Sequence, residues 1–247
     1  MKLAVHQLGN EQRLYWRSRE LAFFTFALPI LFFVLLGSTY GDDEIDGIKG
    51  SVYLLAGMLG YGVAATAFAG LAIMTVIRRE SGILKRLRGT PLPAWAYICA
   101  VIASTVIVFA IEAVALVLLG RALFDIPFPD RWLSLVLTLL LGALAFAAMG
   151  LGLTGVIKSA EGSSAVVNAI YLPMAFISGS FFSPAAFPPV VEAIADVLPL
   201  TYFIKLTRNV LLYNEEVWDD WRAVAVVAAW GLAGALAAVR WFRWEPS

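Results

Sequence analysis

The chain has 247 residues, of which 61% are hydrophobic and 15% charged, against about 45–50% and 25% in soluble globular domains. Its eighteen basic and eighteen acidic side chains cancel, so net charge gives no indication of nucleic-acid binding. Cys99 and His6 are its single cysteine and histidine, which excludes an internal disulfide, a cysteine or multi-histidine metal cluster and a Ser-His-Asp triad in the membrane. This composition predicts an all-α integral membrane protein.

Six apolar stretches are long enough to cross about 30 Å of hydrocarbon as helices, which takes about 20 residues. In chain order they are 21–40, 51–77, 96–120, 132–157, 165–182 and 222–242. The first follows a charged, Trp-containing segment, residues 1–20, and exceeds the core of a signal peptide, which predicts a retained helix preceded by an interfacial segment. No low-complexity linker interrupts the series, so residues 1–247 are expected to form one transmembrane domain.

The distribution of basic residues predicts that both termini are cytoplasmic, because Lys and Arg are retained on that side of the membrane. With the N-terminus inside, twelve of the eighteen basic residues fall in cytoplasmic segments and twelve of the eighteen acidic residues fall outside. The cytoplasmic basic residues are Lys2, Arg13, Arg17, Arg19, Arg78, Arg79, Lys85, Arg86, Arg88, Lys158, Arg240 and Arg243.

The loop between the second and third predicted spans, residues 78–95, is short, basic and partly apolar. Ile83, Leu84 and Leu87 form one apolar stripe at helical spacing, and Gly89 and Pro91 end the short helix. This pattern is compatible with a helix that docks in a groove of a cytoplasmic partner. It is equally compatible with a basic loop that enforces topology and contacts anionic lipid head groups.

The connection before the last span, residues 183–221, is too apolar for a solvated loop and is broken by several prolines. None of its pieces is long enough to span a bilayer, which favours short helices that enter the outer leaflet and return. The alternative is an amphipathic hairpin on the membrane surface with no role in transport.

In these two regions the sequence resembles the permease subunits of the ABC-2 family, most nearly the exporters of the daunorubicin-resistance type, over nearly the whole chain. The residues that carry the resemblance are Arg79, Glu80, Gly82, Leu87 and Pro91, then Ser178, Gly179, Pro184, Pro188 and the run Leu198-Pro199-Leu200-Thr201-Tyr202.

The resemblance implies a permease that pairs with a second copy or a sister permease and with two cytoplasmic ATP-binding subunits, which hold the ATP and Mg. It also implies that residues 79–91, with Ile83 and Leu84, are the coupling helix docked on the ATPase. Residues 183–212, following Ser178 and Gly179, are then the external re-entrant helices that close the exit. The implied location is the bacterial plasma membrane.

Glu112 is the one ionisable residue deep inside a predicted span, where a charge costs at least about 2.5–3.5 kcal/mol. One reading is a pathway role, contacting a cationic substrate or a partner helix. The other is a structural glutamate that is protonated or hydrogen-bonded. Asn168 and Pro173 indicate a polar, kinked fifth span, used for helix packing or for lining a pore.

Gly150, Gly152 and Gly155 match a dinucleotide fingerprint literally, but they lie in an apolar span and are expected to serve close helix packing. The sequence contains no P-loop motif, so nucleotide binding is expected on another subunit and this chain is not expected to be an enzyme. The sequence therefore predicts an exporter permease for an amphipathic drug, a lipid-linked compound or a polysaccharide. The alternative is a six-helix secondary transporter or channel without an ATPase partner.

Overall fold

In a computed structural model, which describes residues 2–245, the chain is predominantly helical. The elements in order are α1 Lys2–Arg17, α2 Arg19–Tyr40, β1 Glu44–Ile45, β2 Ile48–Lys49, α3 Gly50–Val63, a π-helix Ala64–Gly70, α4 Leu71–Glu80, α5 Ile83–Arg88, α6 Ala94–Phe124, α7 Trp132–Leu153, α8 Ala160–Ile177, a 3₁₀ turn Pro184–Ala186, α9 Pro189–Ala195, α10 Pro199–Tyr213 and α11 Trp221–Trp241. The predicted all-α class is confirmed.

Five helices in the described chain are long and apolar enough to cross a membrane: Arg19–Tyr40, Gly50–Glu80, Ala94–Phe124, Trp132–Leu153 and Trp221–Trp241. They coincide with five of the six predicted spans. The remaining one, 165–182, overlaps α8, whose 18 residues include Glu161 and Asn168 and which is not among these five helices. A crossing by α8, and with it the count of six, stays a prediction.

The prediction that this fifth span runs to Phe182 is wrong at its end, because α8 stops at Ile177. Gly179 takes a φ of +92°, a conformation that L side chains rarely adopt and that ends a helix. The chain then turns back, and Phe181 packs against Phe32 and Tyr61 at ring-centroid distances of 5.4 and 5.5 Å.

The helices alternate in direction and define two ends of the bundle. We call the end that holds α1, α5 and the last residues of α11 the termini end. The opposite, hairpin end holds the β1–β2 hairpin, α9, α10 and the connection from α10 to α11. The hairpin turns at Asp46 and Gly47, both with positive φ. An Asp-Gly pair suits this tight turn.

The second span is one continuous helix of 31 residues with a π-helical segment in its middle. A π-helix accommodates an additional residue and displaces the side chains around it, and such segments frequently occur at functional sites. The segment carries Thr66, which contacts Glu112 of α6.

Close approach of α7 and α11 confirms the expectation that the glycines serve helix packing. A Cβ atom built on Gly231 would lie 2.9 Å from Cα of Ala145, and one on Gly152 would lie 2.6 Å from the carbonyl oxygen of Gly234. Side chains at these positions would separate the two helices, so small residues permit the contact.

Candidate coupling, pathway and gate sites

Arg79 ends the second span and fastens it to the end of α7. Its side chain is only 2% exposed and donates to the carbonyl oxygen of Thr154 at 2.8 Å and to that of Ile157. Its Nε lies 3.4 Å from the carboxylate of Glu80, which is partly exposed. Arg79 therefore positions the loop that follows instead of presenting its charge to a partner.

Gly82 starts α5 with a φ of +71°, which explains why a glycine stands between the second span and this helix. The expectation that Ile83, Leu84 and Leu87 face a partner together is wrong for Leu84. Leu84 is fully buried in the chain's own core, and Leu87 packs partly against that core. For a helix of six residues, the sequence does not show whether an apolar stripe is covered by the same chain or by another protein.

The exposed side of α5 is therefore mainly basic. Ile83 is 39% exposed, and Lys85, Arg86 and Arg88 are exposed beside it. Pro91 is exposed at the end of the loop. This surface combines one aliphatic side chain with three positive charges, which is suited to a partially acidic docking groove.

A cavity of about 460 Å³ lies between α1, α2, α3, the π-helix with α4, α6 and α8. Its lining is mainly apolar and aromatic, with hydroxyl groups and one amide. Representative lining residues are Tyr15, Phe24, Tyr61, Thr66, Asn168 and Tyr171. A cavity of this size and character can hold a drug-sized amphipathic molecule.

Of the three predicted pathway residues, Asn168 lines this cavity, whereas Pro173 is exposed on α8 and does not border it. Glu112 is fully buried behind Thr66, which does line the cavity and donates its hydroxyl to Glu112 Oε2 at 3.0 Å. Oε1 has no hydrogen-bond partner within residues 2–245 and fills the space above Gly62, where any Cβ would collide with it.

One ion pair at the termini end was missed by sequence reasoning. Glu11 of α1 is 5% exposed and pairs with Arg78 at 2.7 Å, and Arg78 also donates to the hydroxyl of Tyr97 at 3.2 Å. Gln12 donates to the hydroxyl of Ser104 at 2.9 Å. These contacts fasten α1 to α4 and α6, and both members of the pair line the cavity.

At the hairpin end, the predicted gate residues form the turns that follow α8. Ser178 is buried where α8 ends, and Gly179 makes the turn described above. The next residue, Ser180, places its main chain directly against Gly57 of α3, where a Cβ would collide. The segment is thus packed into the bundle and is not a free loop.

The predicted prolines start the short elements of this region. Pro184 begins the 3₁₀ turn and Pro199 begins α10, while Pro188 caps α9 and is exposed. Tyr202 donates its hydroxyl to the carbonyl oxygen of Asp196 at 2.9 Å, which ties α10 back to the end of α9. Proline is favoured at such first positions because its φ is already helical and no main-chain donor is lost.

Asp220 links α10 to the start of the last span. Its carboxylate accepts from the main-chain N–H of Ala223 at 3.1 Å, capping α11, and pairs with Lys205 at 2.8 Å. Partial burial by itself raises the pKa of Asp220, but the hydrogen bonds from Lys205 and Ala223 outweigh it and hold the pKa below its ordinary value.

These features define a multi-span helical membrane protein with a short helix between its second and third spans and packed short helices before its last span. The sequence model of the ABC-2 type transporter family matches residues 8–212. The chain therefore belongs to the ABC-2 type transporter family and is a multi-pass membrane transport permease.

Curated relatives agree with this assignment. The chain is 24% identical to the putative transport permease YvfS of Bacillus subtilis (strain 168) over 204 residues, which cover 82% of this chain and 83% of the relative. It is 27% identical to the inner membrane transport permease YadH of Escherichia coli (strain K12) over 177 residues, 71% of this chain and 67% of the relative. It is 23% identical to the probable multidrug ABC transporter permease YbhR of Escherichia coli (strain K12), over 69% of this chain and 49% of the relative.

Proposed function

We propose that this chain is the permease subunit of an ATP-driven exporter, with six spans and both termini in the cytoplasm. The single observation that carries the proposal is α5, a short helix between the second and third spans whose root, Arg79, is tied to the end of α7. A helix held in this way passes a displacement from a cytoplasmic partner to two spans.

The proposed partners are two cytoplasmic ATP-binding subunits, which supply ATP and Mg, and a second copy of this chain or a sister permease. Ile83 and the basic side chains Lys85, Arg86 and Arg88 form the proposed docking surface of α5, because they are the exposed part of that helix. Leu84 instead holds the helix on its own bundle.

The proposed exit gate is the hairpin-end segment 183–212. Support comes from α10, which packs its apolar residues Leu200, Phe203 and Ile204 into the bundle although it is too short to span a bilayer. A helix buried in this position blocks the outer end of the bundle until it moves.

The proposed substrate is an amphipathic compound, whether a drug, a lipid-linked molecule or a polysaccharide chain. The mainly apolar cavity with its scattered hydroxyl groups supports an amphipathic molecule. A secondary transporter or channel would use the same cavity without an ATP-binding subunit.

The test is reconstitution of the tagged chain in liposomes with and without its candidate ATP-binding subunit. We expect the subunit to co-purify with the chain, and transport of a fluorescent amphiphile to require both the subunit and hydrolysable ATP. Transport at the same rate by the chain alone, driven by an ion gradient, contradicts the proposal and supports the secondary transporter.

A further inference from the structure

Four buried polar groups without hydrogen-bond partners lie together at the hairpin end. They are the hydroxyls of Tyr53, Ser178 and Ser180 and Nε of Arg208, all without a partner within residues 2–245. Buried polar groups in folded proteins are ordinarily paired with protein, water or a ligand. A cluster of this kind therefore indicates a site that something else completes.

Gly179 is at the centre of the cluster. Ser178 and Ser180 flank it in the chain, and a Cβ built on it would lie 3.4 Å from both Arg208 Nη2 and the Tyr53 hydroxyl. Arg208 donates from Nη2 to the carbonyl oxygen of Gly179 at 2.6 Å. Its guanidinium carbon lies 3.6 Å from the centre of the Tyr53 ring, which orients the cation without neutralising it.

Arg208 differs from the exposed basic residues at this end because it is partly buried, yet no carboxylate in the described chain pairs with it. Lys49, Arg131 and Lys205 each lie within 3.8 Å of an acidic oxygen. Asp46 in the hairpin turn attracts Arg208 through space but forms no ion pair with it. A partly buried cation without an ion partner is unfavourable, and its most direct compensation is a bound anion.

We propose that Arg208, Tyr53, Ser178 and Ser180 form a binding site for the phosphate group of a lipid-like amphiphile. A guanidinium group matches the geometry of an oxyanion, and the three hydroxyls are additional donors. The site follows from this chain's own residues. Assigning it to a compound on its way out rests on the proposed function, in which this end is the exit.

The test uses the full-length chain in a phosphate-free detergent, with native mass spectrometry or fluorescence titration to compare phosphatidylglycerol with diacylglycerol, which has the same acyl chains but no phosphate. We expect a preference of about tenfold or more for the anionic lipid, as one charge-assisted contact provides. Arg208→Gln should remove this preference and Arg208→Lys should keep part of it. Arg222→Gln is the matched control, because Arg222 is an exposed basic residue at the same end.

Tyr53→Phe separates a ligand site from a structural contact, because the ring remains stacked on Arg208 and only the unpartnered hydroxyl is lost. Affinity for the anionic lipid should fall several-fold while thermal stability stays unchanged. Unchanged affinity in both Tyr53→Phe and a Ser178→Ala, Ser180→Ala double variant overturns the proposal, even if Arg208→Gln fails to fold.

Inorganic phosphate distinguishes the source of the oxyanion. If free phosphate at millimolar concentration displaces the lipid and binds with the same affinity, the site is one for a soluble anion. That result would overturn the lipid assignment. A preference for phosphatidylglycerol that Arg222→Gln abolishes as completely as Arg208→Gln would show only general surface charge. These binding measurements use neither ATP nor an ATP-binding subunit. A negative result for the phosphate site is therefore distinguishable from failure of the proposed function.

Discussion

The guanidinium group of Arg79 donates to the main-chain carbonyl oxygen of Thr154 at 2.8 Å, across 75 positions of the chain. The contact joins the end of the second span to the end of α7, just before α5 begins. Arg79, which the sequence places in the loop 78–95, lies in the last turn of α4 and is the anchor of the proposed coupling helix.

Arg79→Met should lower the free energy of unfolding by about 1–3 kcal/mol, because the carbonyl oxygens of Thr154 and Ile157 lose their buried donor. ATP hydrolysis by the assembled complex should become less responsive to substrate. The measurements are thermal unfolding in detergent and ATPase assays. Arg86→Gln removes an exposed charge from α5 and is the stability control; equal destabilisation by both changes contradicts the anchoring role.

Adjacent residues of α5 should separate docking from folding. Ile83→Ser should reduce co-purification of the ATP-binding subunit with little change in stability, because its side chain is 39% exposed. Leu84→Ala should instead destabilise the chain by about 2–5 kcal/mol, since it removes a fully buried side chain. Pull-down and thermal unfolding measure the two effects.

Val156→Ser is the matched control for this pair, because Val156 is an exposed aliphatic residue at the same end of the bundle but outside α5. Val156→Ser should change neither the co-purification of the ATP-binding subunit nor the thermal stability of the chain. Full retention of the ATP-binding subunit by Ile83→Ser would remove the physical reason for assigning docking to this helix.

Much of the helical architecture was predictable from the sequence because long apolar runs suit only a bilayer and their length sets the span. The boundaries of α2 and α11 differ from prediction by at most two residues. The sequence was less informative about which side chains of a helix are buried and which are exposed. Leu84 and Ile83 follow the same periodicity, yet one is buried and the other is exposed.

Contacts between distant segments were not predictable. The pairing of Glu11 with Arg78, and of Arg208 with Gly179, joins positions far apart in sequence, and no local pattern encodes such partners. The π-helical segment beside Glu112 was missed for a related reason. Periodicity assumes a regular helix, and one additional residue leaves the apolar composition of the span unchanged.

Labelling of single cysteines tests the predicted topology. In a Cys99→Ala background, Lys85→Cys should react with an impermeant reagent only from the cytoplasmic side, and Asp43→Cys only from outside. Lys85 is preferable to Gly82 because the +71° φ of Gly82 would strain any side chain. Reaction of both positions from one side would contradict the proposed orientation.

Asp220 should make stability depend on pH. Its folded-state pKa lies below the ordinary value of 3.8, so its stabilising contribution is fully present above that value and is lost as the pH falls through the lower folded pKa. Asp220→Asn keeps an acceptor for Ala223 but loses the pairing with Lys205, and should remove this part of the acid dependence. The measurement is the unfolding midpoint from pH 6 down to about 3.

Asp220→Ala should cost about 0.5–2 kcal/mol at neutral pH, because it also removes the cap of the last helix. Asp42→Asn is the control, since Asp42 is fully exposed and its contact with Lys49 is long, at 3.8 Å. An acid dependence that persists unchanged in Asp220→Asn would assign it to other carboxyl groups.

Glu112 gives the most direct test of whether the buried carboxyl acts in transport. If it is a neutral structural group, Glu112→Gln should fold and transport normally, because the amide oxygen can still accept from Thr66 while the amide nitrogen occupies the space above Gly62. Glu112→Leu should fail in folding or assembly, since branched methyl groups replace the planar end that fits against Gly62 and the hydrogen bond is lost. Gly62→Ala should destabilise the chain less than Glu112→Leu, because its Cβ displaces only the end of the Glu112 side chain. Expression, thermal unfolding and transport in liposomes are measured for all three. Loss of transport by a well-folded Glu112→Gln protein would show that the charge itself is needed, and would place Glu112 in the pathway behind Thr66 at the wall of the cavity.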